Sequence, residues 1–374
     1  MEELLERINK SIVDDAVTEI LREERYNLRR EKKRPWSSRR TRAPFYYRAK
    51  GKSKSFSFKA ALYLAELVVN KLGPPWKNAK TGRPPWFCSK KLASVLLVKH
   101  YSGFSFESLK AKLIEIGFDC RRNTKNKKDS KIPSKSELHW ALKKIKLKYL
   151  EEALRLLDDC CAQIHEKMFG KDGLNKFGVD GTESTCVEFE EHYHGFEKHL
   201  KLTNHKVHAL VRLVTNSFCE VSTSKKENLR DLTVLLKKRK ISKRSISYFE
   251  IYGDAFYDSE KNYEFVFYNN SELIVRPNIA GKTKIRGFFR KKAHENFSKR
   301  RYKIRKITER PFGNTTLRDG NKIWYKRSDM KQKGELLRCI THNIKTYFMQ
   351  ESWTRVFLKF PKHQKILQVM KSTK

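Results

Sequence analysis

Lys176-Phe177-Gly178-Val179-Asp180-Gly181-Thr182-Glu183-Ser184-Thr185 is a short apolar run that delivers one carboxylate at its end. Side chains alternate along a strand, so Phe177 and Val179 share one face and Asp180 points to the other. A charge at the tip of a core strand is costly unless something cationic sits beside it. The rest of the chain is therefore expected to bring two more carboxylates, and much positive charge, to this tip.

Working outward, the pattern stays strand-like. An acidic, His-rich loop is expected after the Asp180 strand. His205-Lys-Val-His-Ala-Leu-Val-Arg-Leu-Val214 then alternates, with Val207, Ala209, Val211 and Leu213 on one face. Phe218-Cys-Glu-Val-Ser-Thr completes an antiparallel meander of three strands. Leu232, Val234, Leu235 and Leu236 mark a helix, and Ser247-Tyr-Phe-Glu-Ile-Tyr-Gly-Asp254 is a fourth strand that again ends in an aspartate. Ser259 caps a helix to about residue 269, and Glu272-Leu-Ile-Val-Arg276 is a fifth strand. An intensely basic stretch, 282–306, precedes a final helix from Gly334 to about Trp353. Three strands, a helix, a strand, a helix, a strand and further helices is the order expected of an α/β, ribonuclease H-like core with a mixed sheet.

Ahead of that core the pattern is helical. Residues 1–24 read as an amphipathic helix, and 25–57 as a basic arm with interleaved aromatic residues. Helices are expected near 58–72, from Ser89, from Ser105 and after the capping box Ser134-Lys-Ser-Glu137. Lys135, His139 and Lys143 lie on the outer face of that last helix, which resembles a helix-turn-helix DNA reader. A solvated basic face is the plainer alternative. A helix from Leu147 to about Met168 links to the strands. The expected organisation is thus an N-terminal helix and arm (1–57), an all-α DNA-binding region (58–170), a catalytic domain (171–355) and a basic tail (356–374).

The formal net charge of +41 comes from 83 Lys and Arg against 42 Asp and Glu, spread along all 374 residues. Self-repulsion on that scale opposes compaction and calls for a polyanionic partner. Nucleic acid is favoured over membrane, since no stretch approaches the ~20 apolar residues of a spanning helix, and no signal peptide is apparent. Seven cysteines, an odd number with no Cys-x-x-Cys pair, point to reduced thiols in the cytoplasm.

The third carboxylate is Glu309, in Arg300-Arg301-Tyr302-Lys-Ile-Arg305-Lys-Ile-Thr-Glu309-Arg-Pro311-Phe-Gly313. At helical spacing Tyr302, Arg305 and Glu309 share a face, and Pro311 predicts that the helix ends close to Glu309. Two like charges ~4 Å apart repel by ~4 kcal/mol at an effective dielectric of ~20. Three ionised carboxylates persist together only around cations, and hard divalent ions suit oxygen ligands. A zinc site among His192, His194, His199, His205 and His208 lacks a cysteine at ligand spacing. Glu183, Glu220, Asp231 and Asp258 are competing carboxylates, with Asp258 expected to cap the following helix together with Ser259. Trp324 and Tyr325 beside Lys326 and Arg327 are candidates for stacking on bases or for packing in the core.

Gly253-Asp254-Ala-Phe-Tyr257-Asp258-Ser259-Glu260 resembles the second-aspartate motif of bacterial and archaeal insertion-sequence transposases of the DDE type. Tyr302-x2-Arg305-x3-Glu309, followed by Arg-Pro-Phe-Gly, resembles that family's tyrosine–arginine–glutamate signature, and Gly178-Val-Asp180-Gly-Thr182 its first-aspartate strand. The likeness spans about residues 80–350. Thr316 stands where the family often has a basic residue, seven after the glutamate. The resemblance implies a ribonuclease H-like fold in which Asp180, Asp254 and Glu309 hold two Mg2+ (or Mn2+). Tyr302 and Arg305, with Arg301 beside them, would contact double-stranded DNA. The implied reaction frees a 3′-hydroxyl at the element's ends and joins it to target DNA, in a homo-oligomer associated with the nucleoid. A non-catalytic DNA-binding descendant and a structure-specific nuclease are the alternatives.

Overall fold

The computed structural model describes residues 58–76, 86–101, 103, 105–122, 131–190, 199–223, 232–239, 248–278, 285–319, 322–323, 325 and 327–359. The expected helix at 1–24, the basic arm, Asp231, His192, His194, Trp324, Lys326 and the tail beyond 359 lie outside these residues.

Five helices come first. In α1 (Phe58–Leu72), Ala61, Leu62, Ala65, Val68 and Val69 are buried at the three- and four-residue spacing of one helical face. In α2 (Ser89–Leu97) the N-cap is Cys88, not Ser89, and no side chain caps the helix; Ser89 is its first residue and is buried. Helix α3 (Phe106–Glu115) starts where the Ser105 hydroxyl accepts from the Ser108 amide at 3.1 Å. Helix α4 (Lys135–Lys144) starts at the expected box. The Ser134 hydroxyl takes the Glu137 amide, and the Glu137 carboxylate takes the Ser134 amide. Helix α5 (Leu147–Phe169) then leads into the sheet.

The sheet contains β1 (Lys176–Glu190), β2 (His199–Arg212), β3 (Ser217–Ser222), β4 (Glu250–Gly253) and β5 (Glu272–Val275) in the order β3-β2-β1-β4-β5. The first three are antiparallel, while β4 and β5 run parallel to β1. A short β6 (Lys322–Ile323) pairs with β1 at Thr185 and Cys186. The β1–β2 hairpin is longer than the pattern foretold. Residues 181–190, expected as a loop, pair with 199–208, because that polar stretch finds its backbone partners across the hairpin.

Helices α6 (Leu232–Lys238) and α7 (Glu260–Tyr268) cover one face of the sheet, over Phe177, Val179, Leu210, Ile251, Leu273 and Val275. The other face has two covers. Over β2 and β3 lie α5 and the long α11 (Ser328–Lys359), packed on Val207, Val211 and Phe218. Over β4 and β5 lies a helical run made of α9 (Lys299–Tyr302), a 3-10 stretch (303–308) and α10 (Glu309–Asp319). Its Tyr302, Ile304 and Ile307 pack on Tyr252 and Ile274. The basic α8 (Phe288–Glu295) precedes that run and buries none of its residues.

The helical region does not stand apart. Helices α1 to α5 share one apolar cluster with α11, β2 and β3. Two polar ties strengthen the junction. The Lys333 ammonium on α11 donates to the Leu142 and Lys143 carbonyls at the end of α4, at 3.1 and 2.7 Å. Asp158 on α5 is fully buried and accepts from Arg212 (3.2 and 2.8 Å), Arg239 (2.8 Å) and Ser217 (2.6 Å). Burial alone would push the Asp158 carboxyl up; the Arg212 and Arg239 guanidiniums outweigh it and hold the group below its ordinary range.

Pro311 does not end a helix at Glu309. It sits in the first turn of α10, where a missing amide hydrogen costs little and the fixed φ suits the helix. The seat of the whole run is Gly178. Thr308 is fully buried there, and a Cβ built on Gly178 would lie 2.0 Å from its hydroxyl and 2.8 Å from Leu213. Only a residue without a side chain lets the run lie so close to β1.

Two tests follow from this packing. Gly178→Ala is expected to cost about 1–3 kcal/mol by overpacking, with part recovered in Gly178→Ala/Thr308→Ala, read by urea unfolding. For Asp158, a folded value below the unfolded ~3.9 means its stabilisation is full above that pH and lost as pH falls through the folded value. Asp158→Asn is expected to cost about 3–5 kcal/mol near neutrality and to flatten the loss of stability below about pH 4.

Candidate active site

Strands β1 and β4 are parallel neighbours, with Phe177 opposite Ile251 and Gly178 opposite Tyr252. Carried two residues on, that alignment sets Asp180 beside Asp254 at the same end of the sheet. Alternation fixes which way they face. Gly178 and Tyr252 meet the helical run, so Asp180 and Asp254 lie on that same face. Both line one open cleft with Gly181, Thr182, Lys206 and His208.

The helical run climbs the sheet beside them. At its foot Arg301 forks across Glu272, at 2.8 and 2.6 Å, and reaches Glu250 at 3.6 Å. Those glutamates begin β4 and β5, about 13 Å below Asp254 at ~3.3 Å per residue. Arg301, expected at the DNA, is thus committed to an ion pair at the far end of the strands. Tyr302 is half-buried against Phe297 and the cluster of Tyr252 and Ile274. Arg305 is the side chain that joins the run to the aspartates. Its Nη2 donates to Asp180 at 3.2 Å and its Nη1 to Glu309 at 2.8 Å. Its Nε is buried, with no hydrogen-bond acceptor among the described residues.

Each carboxylate has a distinct setting. Asp180 is mostly buried; its other oxygen accepts from the Gly181 amide at 2.9 Å. Burial raises its carboxyl above the ordinary range, Arg305 and the Gly181 amide oppose that, and the nearby Asp254 and Glu309 charges push the same way as burial. The three carboxylates therefore form one electrostatic group. Asp254 has extended backbone and caps the 3-10 turn of residues 255–257, accepting from the Ala255 amide at 2.7 Å. Glu309 opens α10 and is exposed beyond its bond to Arg305.

Among the described residues, no group of three His, Cys, Asp or Glu side chains is arranged to hold a metal ion as the chain stands. The donor set nevertheless suits a hard divalent cation. It offers oxygen ligands alone, two of them on adjacent strand ends, with Arg305 bonded to Asp180 and Glu309.

Two further side chains, His208 and Tyr257, complete the cleft. His208 projects from β2 over Gly181, where an added Cβ would come within 2.9 Å of its ring. Its Nδ1 is 2.7 Å from the Tyr257 hydroxyl, so it is not a free zinc ligand. Burial, then Asp180 and Asp254, raise the Tyr257 phenol. The signal for this pair was the alternation, which sets His208 on the face of β2 opposite Val207, Ala209 and Val211, across from Gly181. The side chains of His199 and His205 are outside the described residues.

Among the competing carboxylates, Glu220 is buried against Arg155, and Glu183 pairs with Lys206 at 3.1 Å on the cleft's rim. Asp258 is not a helix cap; Ser259 alone caps α7. The Asp258 side chain is fully buried and accepts from Arg290 (3.0 and 2.6 Å), the His294 ring (3.0 Å) and the Asn278 amide (2.8 Å). Glu260 accepts from the Phe289 and Arg290 amides that open α8. Two acidic residues just after Asp254 thus moor the basic α8.

On α4, Lys135 and Lys143 are exposed and His139 is half-buried with its ring edge-on to Phe106. Burial, and then Lys143, lower the His139 value. No helix among the described residues is long and apolar enough to cross a membrane. Comparison of the chain with protein-family models, curated proteins and solved structures returned no match.

Proposed function

We propose that this chain is a DNA-cutting and DNA-joining enzyme, a DDE transposase on a ribonuclease H-like core. The observation that carries the reading is the meeting of two aspartates at adjacent parallel strand ends with a glutamate tied to the first of them, Asp180, through one arginine. The strand order, with β4 and β5 parallel to β1 beyond an antiparallel meander, supports the fold assignment. The motif likenesses around Asp254 and Glu309 support the chemistry.

Asp180, Asp254 and Glu309 would hold two Mg2+ or Mn2+ ions, whose contribution is to activate an attacking oxygen and stabilise a leaving one at a phosphodiester. The chain's own residues do the rest. Water adds to phosphorus at the element's end, the bond to the 3′-oxygen breaks, and that oxygen leaves as a 3′-hydroxyl. The hydroxyl then attacks a target phosphodiester, so one such bond forms as another breaks and no covalent protein intermediate is needed. Basic residues around the cleft and on α4 position the phosphates, which dominate affinity without specifying sequence. The enzyme acts as an oligomer on paired double-stranded DNA ends in the cytoplasm.

The test is strand cleavage and transfer with DNA flanking the coding region, in Mg2+. Asp180→Asn, Asp254→Asn and Glu309→Gln are each expected to lower the rate by about a thousandfold. Activity unaffected by Asp254→Asn overturns the assignment, and cleavage without joining identifies a nuclease on the same core. Lys135→Ala/Lys143→Ala is expected to weaken duplex binding and reduce the log–log salt slope by roughly two. His139→Ala should leave binding near neutral pH almost unchanged, since the imidazole there is uncharged. A salt slope unmoved by the double change would return α4 to a merely solvated face.

A further inference from the structure

We infer that Arg305 is an exchangeable internal counter-cation: its guanidinium occupies the carboxylate site until a DNA phosphate draws it away and divalent ions take its place. This rests on the reading of Asp180, Asp254 and Glu309 as metal ligands. Toward the metal site Arg305 acts through those carboxylates, and it meets DNA through the phosphate that displaces it.

Both ends of the fork are engaged. Nη2 holds one oxygen of Asp180 and Nη1 one oxygen of Glu309, while the Gly181 amide holds the other Asp180 oxygen. Asp180 thus presents no oxygen without a donor, and the guanidinium lies between two of the three ligands. That explains why three carboxylates sharing one field are not arranged to hold a metal among the described residues. The same geometry keeps like charges together without an ion.

The third nitrogen shows that this is not the guanidinium's best seat. Nε is buried with no acceptor among the described residues, and leaving a buried donor unmatched is costly. A phosphate offers several oxygens in a geometry that a guanidinium takes bidentately. Moving the fork onto a phosphate at the cut keeps its hydrogen bonds. It also frees one oxygen each on Asp180 and Glu309 for a metal. The exchange makes metal and DNA binding mutually reinforcing, since coupling between two ligands is reciprocal. An enzyme built this way holds few divalent ions away from DNA.

Isothermal titration of Mn2+ into the full chain tests the idea, with and without a short DNA duplex of arbitrary sequence. The wild type is expected to bind Mn2+ weakly alone and about tenfold more tightly with duplex. Arg305→Ala should bind Mn2+ alone nearly as tightly as the wild type does with duplex, and duplex should then add less than about twofold. Arg305→Lys, which keeps the charge and loses the fork, should fall between. Asp254→Asn should remove the binding, which separates the site from adventitious surface ions. Circular dichroism checks each fold, and Arg305→Gln, closer in bulk, replaces an unfolded alanine variant. A folded Arg305→Ala or Arg305→Gln that binds Mn2+ no more tightly than wild type overturns the inference. If DNA enhances Mn2+ binding equally in wild type and variant, the role of Arg305 falls while the metal reading stands. If no protein binds Mn2+ with or without duplex, both fall.

Discussion

The close seat of Thr308 on Gly178 is the constraint on which the site depends. Residues 301 to 309 lie along the strands, from the feet of β4 and β5 to the tips of β1 and β4. The 3-10 stretch, with three residues per turn, aligns Tyr302, Arg305 and Thr308 on one side. Tyr302 packs low on the sheet, Thr308 fills the hollow at Gly178, and Arg305 is carried to the carboxylates between them. A side chain at position 178 would lift the run and take Glu309 away from its partners.

Charge inside this molecule is handled in two ways. Away from the cleft two buried carboxylates, Asp158 and Asp258, have a full set of partners. Asp158 is met by two guanidiniums and a hydroxyl, Asp258 by Arg290, His294 and a backbone amide. Such groups are satisfied and stay put. At the cleft the matching is partial. Two of the three carboxylates share one guanidinium, one of its donors has no acceptor among the described residues, and the Asp180 carboxyl is raised by burial. On the proposed reading, that incomplete neutralisation leaves room for further positive charge.

Much of this was legible in the residues. The capping box at Ser134, the stripes of α1 and α11, and the aspartates that end apolar runs follow from periodicity and local hydrogen bonding. Each of those signals is short-range. What the pattern missed was set by partners distant in sequence. Residues 181–190 become a strand only because 199–208 lie alongside. Arg301 and Arg305 look alike in a basic run, yet one is claimed by Glu272 and the other by Asp180. Asp258 looks like a cap until Arg290, 32 residues on, turns back to it. Pro311 reads as the end of a helix near Glu309, yet it sits in the first turn of α10, whose Phe312 packs in the core.

The Lys333 ammonium that closes the end of α4 has a consequence for scale. It fastens the helix bearing Lys135 and Lys143 to α11, which is itself packed on β3 and so on the sheet that carries the aspartates. Among the described residues the two surfaces are joined through one packed apolar cluster. On the proposed reading, a duplex lying on both would be measured as by a caliper, the distance from gripped phosphates to scissile bond being set by the core and not by a tether.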